Sequence, residues 1–246
     1  MKNLFAAVGS AFGYFSILPN GSRPQQTVPG YAAIGMLPLV GLVIGALAGA
    51  VGYGISCVTN ALLGYALAYC AMIVFSGALH LDGFLDSCDA LFASVDPQNR
   101  LKILKDPTHG TYAVAGMSIL TVLWIATLSG FKPQTLPLLL AFTGALARTG
   151  ALLPMFFNAD TRPTPSPALA QSPSKFVFFA WLAIVLAGSF FVGRWVWAVI
   201  PVILCFNVLI ARWIAKQLGG SLVGDSYGFL ITISEAFVLL LLDSKV

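Results

Sequence analysis

The chain has 246 residues, of which 58% are hydrophobic and only 9% charged, and its mean hydropathy is +0.89. Several apolar runs approach or exceed the ~18 residues that cross a bilayer as a helix, which excludes an ordinary soluble fold. We therefore predict an all-α, polytopic membrane helix bundle that forms one domain over residues 1–246. The net charge of +4 does not indicate a nucleic-acid partner, because basic residues scattered between spans are what membrane topology requires.

The predicted elements begin with a short amphipathic or re-entrant helix at 3–18, followed by a polar loop at 20–30. In the first full span, at 33–57, the spacing of Gly41, Gly45 and Gly49 places small residues on one face and favours close helix packing. A proline-rich loop at 158–175 interrupts the later part of the chain. About six to eight spans are expected, and the remaining ones are predicted at 60–79, 112–131, 135–157, 176–193, 195–211 and 227–242.

The distribution of basic residues predicts which ends of the spans face the cytoplasm. With a cytoplasmic N-terminus, the loops on that side hold Lys2, Arg23, Arg100, Lys102, Lys105, Arg162, Lys175, Arg212 and Lys216. The opposite side holds only Lys132, Arg194 and Lys245. Because cytoplasmic loops carry an excess of lysine and arginine, this bias predicts that residues 80–110 and 212–226 share the cytoplasmic face of a cell inner membrane.

Residues 77–110 concentrate the ionisable chemistry of the chain. Five of the nine acidic residues lie here, together with both histidines: Asp82, Asp86, Asp89, Asp96, Asp106, His80 and His109. On a helix, Asp82, Asp86 and Asp89 fall within an arc of about 60°. Carboxylates so close together repel each other, and a divalent cation of the Mg²⁺ or Mn²⁺ type removes that repulsion. We therefore predict a hard-cation site at these three residues.

Other roles in this stretch stay open. An acidic amphipathic helix resting on the membrane is the alternative to a metal site, although interfacial helices usually carry lysine or arginine on the polar face. His80 is a candidate to orient a carboxylate or carry a proton, whereas an ordinary hydrogen-bonded histidine is an equal alternative. His109 is expected to be structural or incidental. Arg100 and Lys105 are candidates to hold phosphate oxygens or acidic lipid headgroups.

A second polar cluster at 219–228 precedes the last span. Gly220 and Gly224 flank Asp225, and a glycine-rich backbone at a helix N-terminus can present N–H groups to phosphate. Glu235 follows inside the apolar span, where an acid is costly and usually functional. Its expected partner is Arg148 or Arg212, and a purely structural ion pair is the alternative.

The residues Gly77-Ala-Leu-His-Leu-Asp-Gly-Phe-Leu-Asp-Ser-Cys-Asp89, with Arg100 and Lys105-Asp106 after them, resemble the adenosylcobinamide-GDP ribazoletransferase family. Three further segments resemble the same family: Phe15-Ser-Ile-Leu-Pro19, Leu37-Pro-Leu-Val-Gly41, and the stretch from Leu218 through Gly224-Asp225 and Gly228 to Glu235. The resemblance implies transfer of the adenosylcobinamide phosphoryl group from its GDP ester to α-ribazole or α-ribazole 5'-phosphate, releasing GMP, with Mg²⁺.

The helical arc and the resemblance together lead us to expect roles for individual residues. Asp82 and Asp86 would bind the metal, and Asp89 would be a further metal ligand or the general base. Substrate contacts would come from Arg100, Lys105, Asp106, Arg148, Gly220, Gly224, Asp225 and Glu235. Membrane lipid, a second copy of the chain or other enzymes of cobamide assembly are the expected partners. The alternatives are a CDP-alcohol phosphotransferase-like phospholipid enzyme and, from a different class, a membrane transporter.

Overall fold

A computed structural model describes residues 2–19, 30–156, 173–193 and 195–243, and every regular element in these ranges is a helix. Eleven α-helices follow each other in the described parts of the chain: α1 (Lys2–Phe15), α2 (Tyr31–Ile34), α3 (Leu37–Val58), α4 (Ala61–Phe75), α5 (Leu79–Phe92), α6 (Pro97–Ile103), α7 (Thr111–Leu128), α8 (Leu136–Leu152), α9 (Lys175–Val192), α10 (Val199–Gln217) and α11 (Gly224–Asp243). Short 3₁₀ turns at Pro133–Thr135 and Leu153–Phe156 extend α8 at both ends, and another at Val196–Ala198 precedes α10.

Six helical segments of the described chain are long and apolar enough to cross a membrane, which confirms the all-α, multi-pass prediction. They are Leu37–Val58, Thr111–Leu128, Pro133–Phe156, Lys175–Val192, Val196–Gln217 and Gly224–Asp243. In this bundle α8 and α11 are the most enclosed helices. Within their most apolar stretches, 78% of the residues of the α8 segment and 67% of those of α11 are buried. Polar groups on these two helices are therefore screened from lipid by the other helices.

The predicted span at 60–79 differs from the structure, because the helix breaks before its end. Helix α4 stops at Phe75, and α5 leaves at an angle of 92° to it, so that the two together make at most a seventh, broken span. Gly77 and Ala78 at the break have φ values of 62° and 57°, a left-handed conformation that ends an α-helix. The break directs the acidic residues of α5 across one end of the bundle.

The glycines of α3 do what their spacing predicted. A Cβ atom on Gly41, Gly45 or Gly49 would overlap backbone atoms of Gly144, Leu140 or Leu136 in α8, so the two helices are in backbone contact along the whole stripe. This contact fixes α8 at the centre of the bundle. It also places Arg148 of α8 in the interior, where it is 2% exposed.

Several predictions fall outside the described residues. They are the polar loop at 20–30 except for its last residue, most of the proline-rich loop at 158–175, and the basic residues Arg23, Arg162, Arg194 and Lys245.

Candidate active site

The candidate site begins with the contact between α5 and α11, where two glycines let the helices approach closely. A Cβ atom on Gly83 would lie 2.9 Å from the carbonyl oxygen of Asp225 and 3.3 Å from the Cα of Gly228. A Cβ atom on Gly228 would in turn lie 3.0 Å from the carbonyl oxygen of His80. The first turn of α11 therefore lies against the acidic face of α5. Asp225 is close enough for its charge to act on Asp82 and Asp86.

Three side chains form what we call the carboxylate–histidine cluster: Asp82, Asp86 and His109. The Nε2 atom of His109 is 4.0 Å from Oδ1 of Asp82, and its Nδ1 atom is 3.4 Å from Oδ1 of Asp86. One ligand atom from each residue lies within 4.8 Å of the other two. The Asp86 side chain is only 16% exposed, whereas those of Asp82 and His109 are 63% and 39% exposed. The cluster is therefore anchored in the protein and open on one side.

The structure places His109 beside two carboxylates, whereas the sequence led us to expect a structural or incidental role for it. The loop after α6 folds back over α5. It brings His109 next to two carboxylates that lie more than twenty residues before it in the sequence. The presence of both histidines in the acidic stretch was the only sequence signal for it. No helical spacing connects His109 with Asp82 or Asp86.

The structure places Asp89 apart from the carboxylate–histidine cluster, and its role as a metal ligand or general base stays a prediction. Its carboxylate is buried and accepts hydrogen bonds from the backbone N–H groups of Gly110, at 2.6 Å, and Ala113, at 3.0 Å. These groups belong to the free N-terminus of α7, where an acidic side chain is favourable. Asp89 therefore fixes the start of α7 to α5 and, through the adjacent loop, holds His109 near the cluster.

The guanidinium of Arg100 is also occupied by contacts within the protein and is not free to bind a ligand. Its guanidinium donates to the carbonyl oxygens of Val95, at 3.1 Å, and Ala90, at 2.9 Å, and also to that of Leu91. These are carbonyls at and just beyond the C-terminus of α5, which the cation stabilises. The predicted phosphate contact at Arg100 would require these hydrogen bonds to break.

Asp106 shapes the loop that leads to His109. Its Oδ1 atom accepts hydrogen bonds from the backbone N–H of Thr108, at 3.0 Å, and from the Thr108 hydroxyl, at 2.6 Å. These hydrogen bonds lower the pKa of the Asp106 carboxyl below its usual value, with the hydroxyl of Thr108 the larger cause. The side chain is exposed and lies in a turn, which is a sufficient reason for an aspartate at this position.

The glycines before α11 divide into two roles. Gly219 and Gly220 have φ values of 81° and 118°, and the N–H of Gly220 donates to the carbonyl oxygen of Ala215 at 2.6 Å. This arrangement closes the C-terminus of α10, so the Gly220 N–H is already used and does not face a phosphate. Gly224 instead opens α11 and is exposed, with Asp225 beside it in the first turn.

Arg148 and Glu235 form a buried ion pair within the bundle. Nη1 of Arg148 contacts Oε1 of Glu235 and also donates to the carbonyl oxygen of Gly144 at 3.3 Å. The two residues are 2% and 7% exposed. The prediction that Glu235 pairs with an arginine is confirmed, and the partner is Arg148. Neither residue borders the large cavity described below, but both border a smaller one of about 30 Å³ that they share with His80. Their predicted contact with substrate stays a prediction.

A cavity of about 330 Å³ adjoins the cluster on the other side of Asp225. Apolar and aromatic side chains from seven helical elements make most of its wall, and Asp225, His80 and Lys105 contribute a carboxylate, an imidazole and an ammonium group to it. The cavity is bordered by Tyr14, Phe15, Ile34, Leu37, Leu79, Leu101, Leu104, Met155, Val223, Gly224, Tyr227, Gly228 and Ile231 in addition. His80 is 6% exposed, and its Nδ1 atom has no hydrogen-bond partner among the described residues. The roles predicted for His80 as carboxylate orienter or proton carrier stay predictions.

Comparison with known proteins identifies relatives over nearly the whole chain. The family model for cobalamin-5-phosphate synthase matches residues 7–242. The adenosylcobinamide-GDP ribazoletransferase of Deinococcus radiodurans is 39% identical over 166 residues, which are 67% of this chain and 58% of that protein. Proteins of the same name from Bradyrhizobium diazoefficiens and Desulforamulus reducens are 31% and 26% identical, over 98% and 97% of this chain and 94% and 96% of theirs. No solved structure matches the chain.

Proposed function

The chain belongs to the cobalamin-5-phosphate synthase family, and from this we propose that it transfers the adenosylcobinamide phosphoryl group from adenosylcobinamide-GDP to α-ribazole or its 5'-phosphate, the last step of cobalamin assembly. A ribose hydroxyl oxygen of the ribazole attacks the phosphorus that carries adenosylcobinamide. The bond from that phosphorus to the GMP oxygen breaks, GMP leaves, and the hydroxyl proton passes to a base. The product is the cobalamin or its 5'-phosphate.

The carboxylate–histidine cluster is the observation that carries this proposal. Two carboxylates and one imidazole whose ligand atoms lie within 4.8 Å of each other are a suitable donor set for a divalent cation, and carboxylate oxygens favour Mg²⁺ or Mn²⁺. We assign Asp82, Asp86 and His109 to Mg²⁺, which would supply neutralisation of negative charge on the pyrophosphate. The open side of the cluster, next to exposed Asp82, leaves room for phosphate oxygens.

Asp225 is our candidate for the base that accepts the proton of the attacking hydroxyl. It borders the cavity and also lies next to the cluster, so a hydroxyl between the two would be within its reach. Lys105 lies at the mouth of the same cavity, where it is exposed and able to bind a phosphate of either substrate. Asp89 acts through His109 by holding the start of α7, and is therefore a positioning residue.

The distribution of basic residues is the basis for proposing a cytoplasmic location for this chemistry. We place the protein in the cell inner membrane with the carboxylate–histidine cluster on the cytoplasmic face. The same end of the bundle carries Lys102, Lys105 and Lys216, as the positive-inside rule requires. Membrane lipid would contact the exposed aromatic side chains of α9, among them Phe176, Phe190 and Phe191. Three native cysteines are exposed, so the test uses a chain in which all four native cysteines are replaced by alanine. In that background Lys102→Cys should react with a membrane-impermeant maleimide only in inverted vesicles, and labelling of intact cells would contradict the orientation.

A direct assay tests the reaction. The purified protein in liposomes is incubated with adenosylcobinamide-GDP, α-ribazole 5'-phosphate and Mg²⁺, and GMP and the cobamide product are quantified. We expect equal amounts of the two products and none after chelation of the metal. The family match supports this reaction over the CDP-alcohol phosphotransferase and transporter alternatives. Exchange of a solute across the liposome without any GMP would instead favour a transporter.

The glycine contact between α5 and α11 gives a prediction about geometry. Replacing Gly83 with Val should lower the transfer rate about a hundredfold, because the side chain would push Asp225 away from the cluster by an ångström or more. The matched control is Gly54→Val, since a Cβ atom at Gly54 meets nothing within 4 Å. Both variants are compared for rate and for the amount of folded protein. Full activity of Gly83→Val would show that the close approach is not needed.

A further inference from the structure

We propose that the cavity of about 330 Å³ beside Asp225 binds the aromatic base of the ribazole substrate, and that His80 recognises the unsubstituted ring nitrogen of that base. This inference rests on the proposed function and adds to it the location of the acceptor substrate. It also assigns a binding role to apolar residues from α1, α5, α6 and α11 that lie outside the carboxylate–histidine cluster.

The size of the cavity selects between the two substrates. A volume of about 330 Å³ is at the lower end of the range for pockets that enclose a small organic ligand, which is roughly 300–1,000 Å³. A benzimidazole with its ribose is a ligand of that size. The corrin ring with its peripheral amides, the upper adenosyl group and the GDP ester is far larger. The corrinoid must therefore approach from the open side of the cluster, and the cavity is left for the ribazole.

The wall of the cavity matches the chemistry of the base. Phe15, Tyr14 and Tyr227 supply aromatic surface, and leucines and isoleucines complete an apolar lining for a neutral, dimethyl-substituted ring. The Phe15 ring also contacts the imidazole of His80, with 6.1 Å between the ring centres. An apolar ring would gain from burial here, whereas a charged or strongly hydrated group would lose its solvation.

His80 has a ring nitrogen that could form a hydrogen bond with a benzimidazole. His80 is 6% exposed and borders the large cavity, and it also borders a smaller cavity of about 30 Å³ that Arg148 and Glu235 line. Its Nδ1 atom is buried and has no hydrogen-bond partner among the described residues. A buried nitrogen without a partner costs free energy, so a ligand that supplies one gains affinity and specificity. The base of a ribazole has one ring nitrogen that carries no substituent and accepts a hydrogen bond. We infer that the neutral imidazole donates to it after the ring rotates and turns Nδ1 toward the cavity.

The polar groups at the rim orient the rest of the nucleoside. With the base inside, the ribose emerges where Asp225 borders both the cavity and the cluster, which places a ribose hydroxyl between the base and the metal ligands. Exposed Lys105 at the mouth then lies near the 5' position. A nucleoside bound in this way would extend from the cavity, past Asp225, to the carboxylate–histidine cluster, where the pyrophosphate of the other substrate would lie.

The experiment fills the cavity and measures the Michaelis constants of the two substrates separately. In Leu101→Trp the larger side chain would occupy the space of the base, and we expect the KM for α-ribazole to rise about tenfold or more. The KM for adenosylcobinamide-GDP should stay within about twofold. The control is Leu123→Trp, because Leu123 is also a partly buried leucine packed against the core but does not border the cavity. Leu79→Phe is a smaller filling change in case Leu101→Trp does not fold.

A second readout tests His80 through the ligand. An α-riboside of dimethylindole, which has a carbon in place of the free ring nitrogen, should bind the wild type about tenfold more weakly than α-ribazole. His80→Phe should remove that preference, because it keeps an aromatic ring but loses the donor. An unchanged preference in a folded His80→Phe protein would overturn the assignment to His80.

The outcomes separate the inference from the proposed function. If the variants that fill the cavity raise the KM for the corrinoid, or leave both constants unchanged in folded protein, the base does not bind there although the reaction stands. If the wild type forms no cobamide, the proposed function fails. Equilibrium dialysis of α-ribazole against wild type and Leu101→Trp then decides the inference alone. Binding to the wild type that the variant loses would support the cavity, and binding that is equal or absent would overturn it.

Discussion

Replacing Asp86 with Asn is expected to reduce the rate of phosphoryl transfer roughly a thousandfold at saturating Mg²⁺. Asp86 is the least exposed member of the carboxylate–histidine cluster, at 16%, so it defines the position of a bound cation more closely than exposed Asp82 does. Asparagine keeps the size of the side chain but removes one negative charge. The loss should therefore appear in kcat, with the amount of folded protein unchanged.

Asp96→Asn is the matched control for this prediction. Asp96 lies in the same acidic stretch, but it is exposed and caps the N-terminus of α6 through hydrogen bonds from the N–H groups of Gln98 and Asn99. Because asparagine is an equally good cap, this variant should keep near wild-type turnover. Equal turnover in wild type, Asp86→Asn and Asp82→Asn would remove the cluster from the mechanism.

Replacing Glu235 with Leu is expected to destabilise the protein by about 3–5 kcal/mol, because it leaves the Arg148 cation buried without a counter-charge. Arg148 is 2% exposed and lies on the most enclosed helix of the bundle, so its charge is largely shielded from water. The expected result is a large fall in the amount of folded protein in the membrane and in its thermal midpoint in detergent. Activity per folded molecule is a separate readout.

The double variant Arg148→Met with Glu235→Leu distinguishes a structural ion pair from a contact with substrate. Removing both charges leaves apolar side chains of similar volume, which is often neutral or stabilising. We expect folded protein to return to near the wild-type amount, with transfer activity largely restored. A double variant that folds but cannot transfer would show that the pair takes part in the reaction. A stable single variant would show that Arg148 has another counter-charge.

The sequence was sufficient where the signal is local and repeated along a helix. Long apolar runs predicted the spans, and the glycine spacing at Gly41, Gly45 and Gly49 predicted the contact that α3 makes with α8. The acidic stretch also stood out in the sequence, because charge is so rare elsewhere in the chain, and its role as the site stays a prediction. The second span was only half correct, since the left-handed backbone at Gly77 and Ala78 turns the chain before it crosses fully.

The membership of the cluster could not be read from helical spacing. Spacing alone makes Asp89 equivalent to Asp82 and Asp86, but the start of α7 uses its carboxylate, and that helix begins twenty-two residues later at Thr111. His109 joins for the same reason, because the loop after α6 folds back onto α5. Both outcomes depend on contacts between elements that are separate in the chain. The spacing of residues along one helix carries no information about contacts with other helices or loops.

Binding of Mn²⁺, followed by electron paramagnetic resonance, tests the central claim most directly, because it reports on the metal site without requiring turnover. We expect one tightly bound Mn²⁺ per chain with a hyperfine coupling to a histidine nitrogen. His109→Ala should lose the nitrogen coupling, and a variant with both Asp82→Asn and Asp86→Asn should lose the bound ion. Asp96→Asn should leave the spectrum unchanged. Equal binding of Mn²⁺ by the folded double variant, or wild-type binding with no nitrogen coupling, would contradict a metal centre at Asp82, Asp86 and His109.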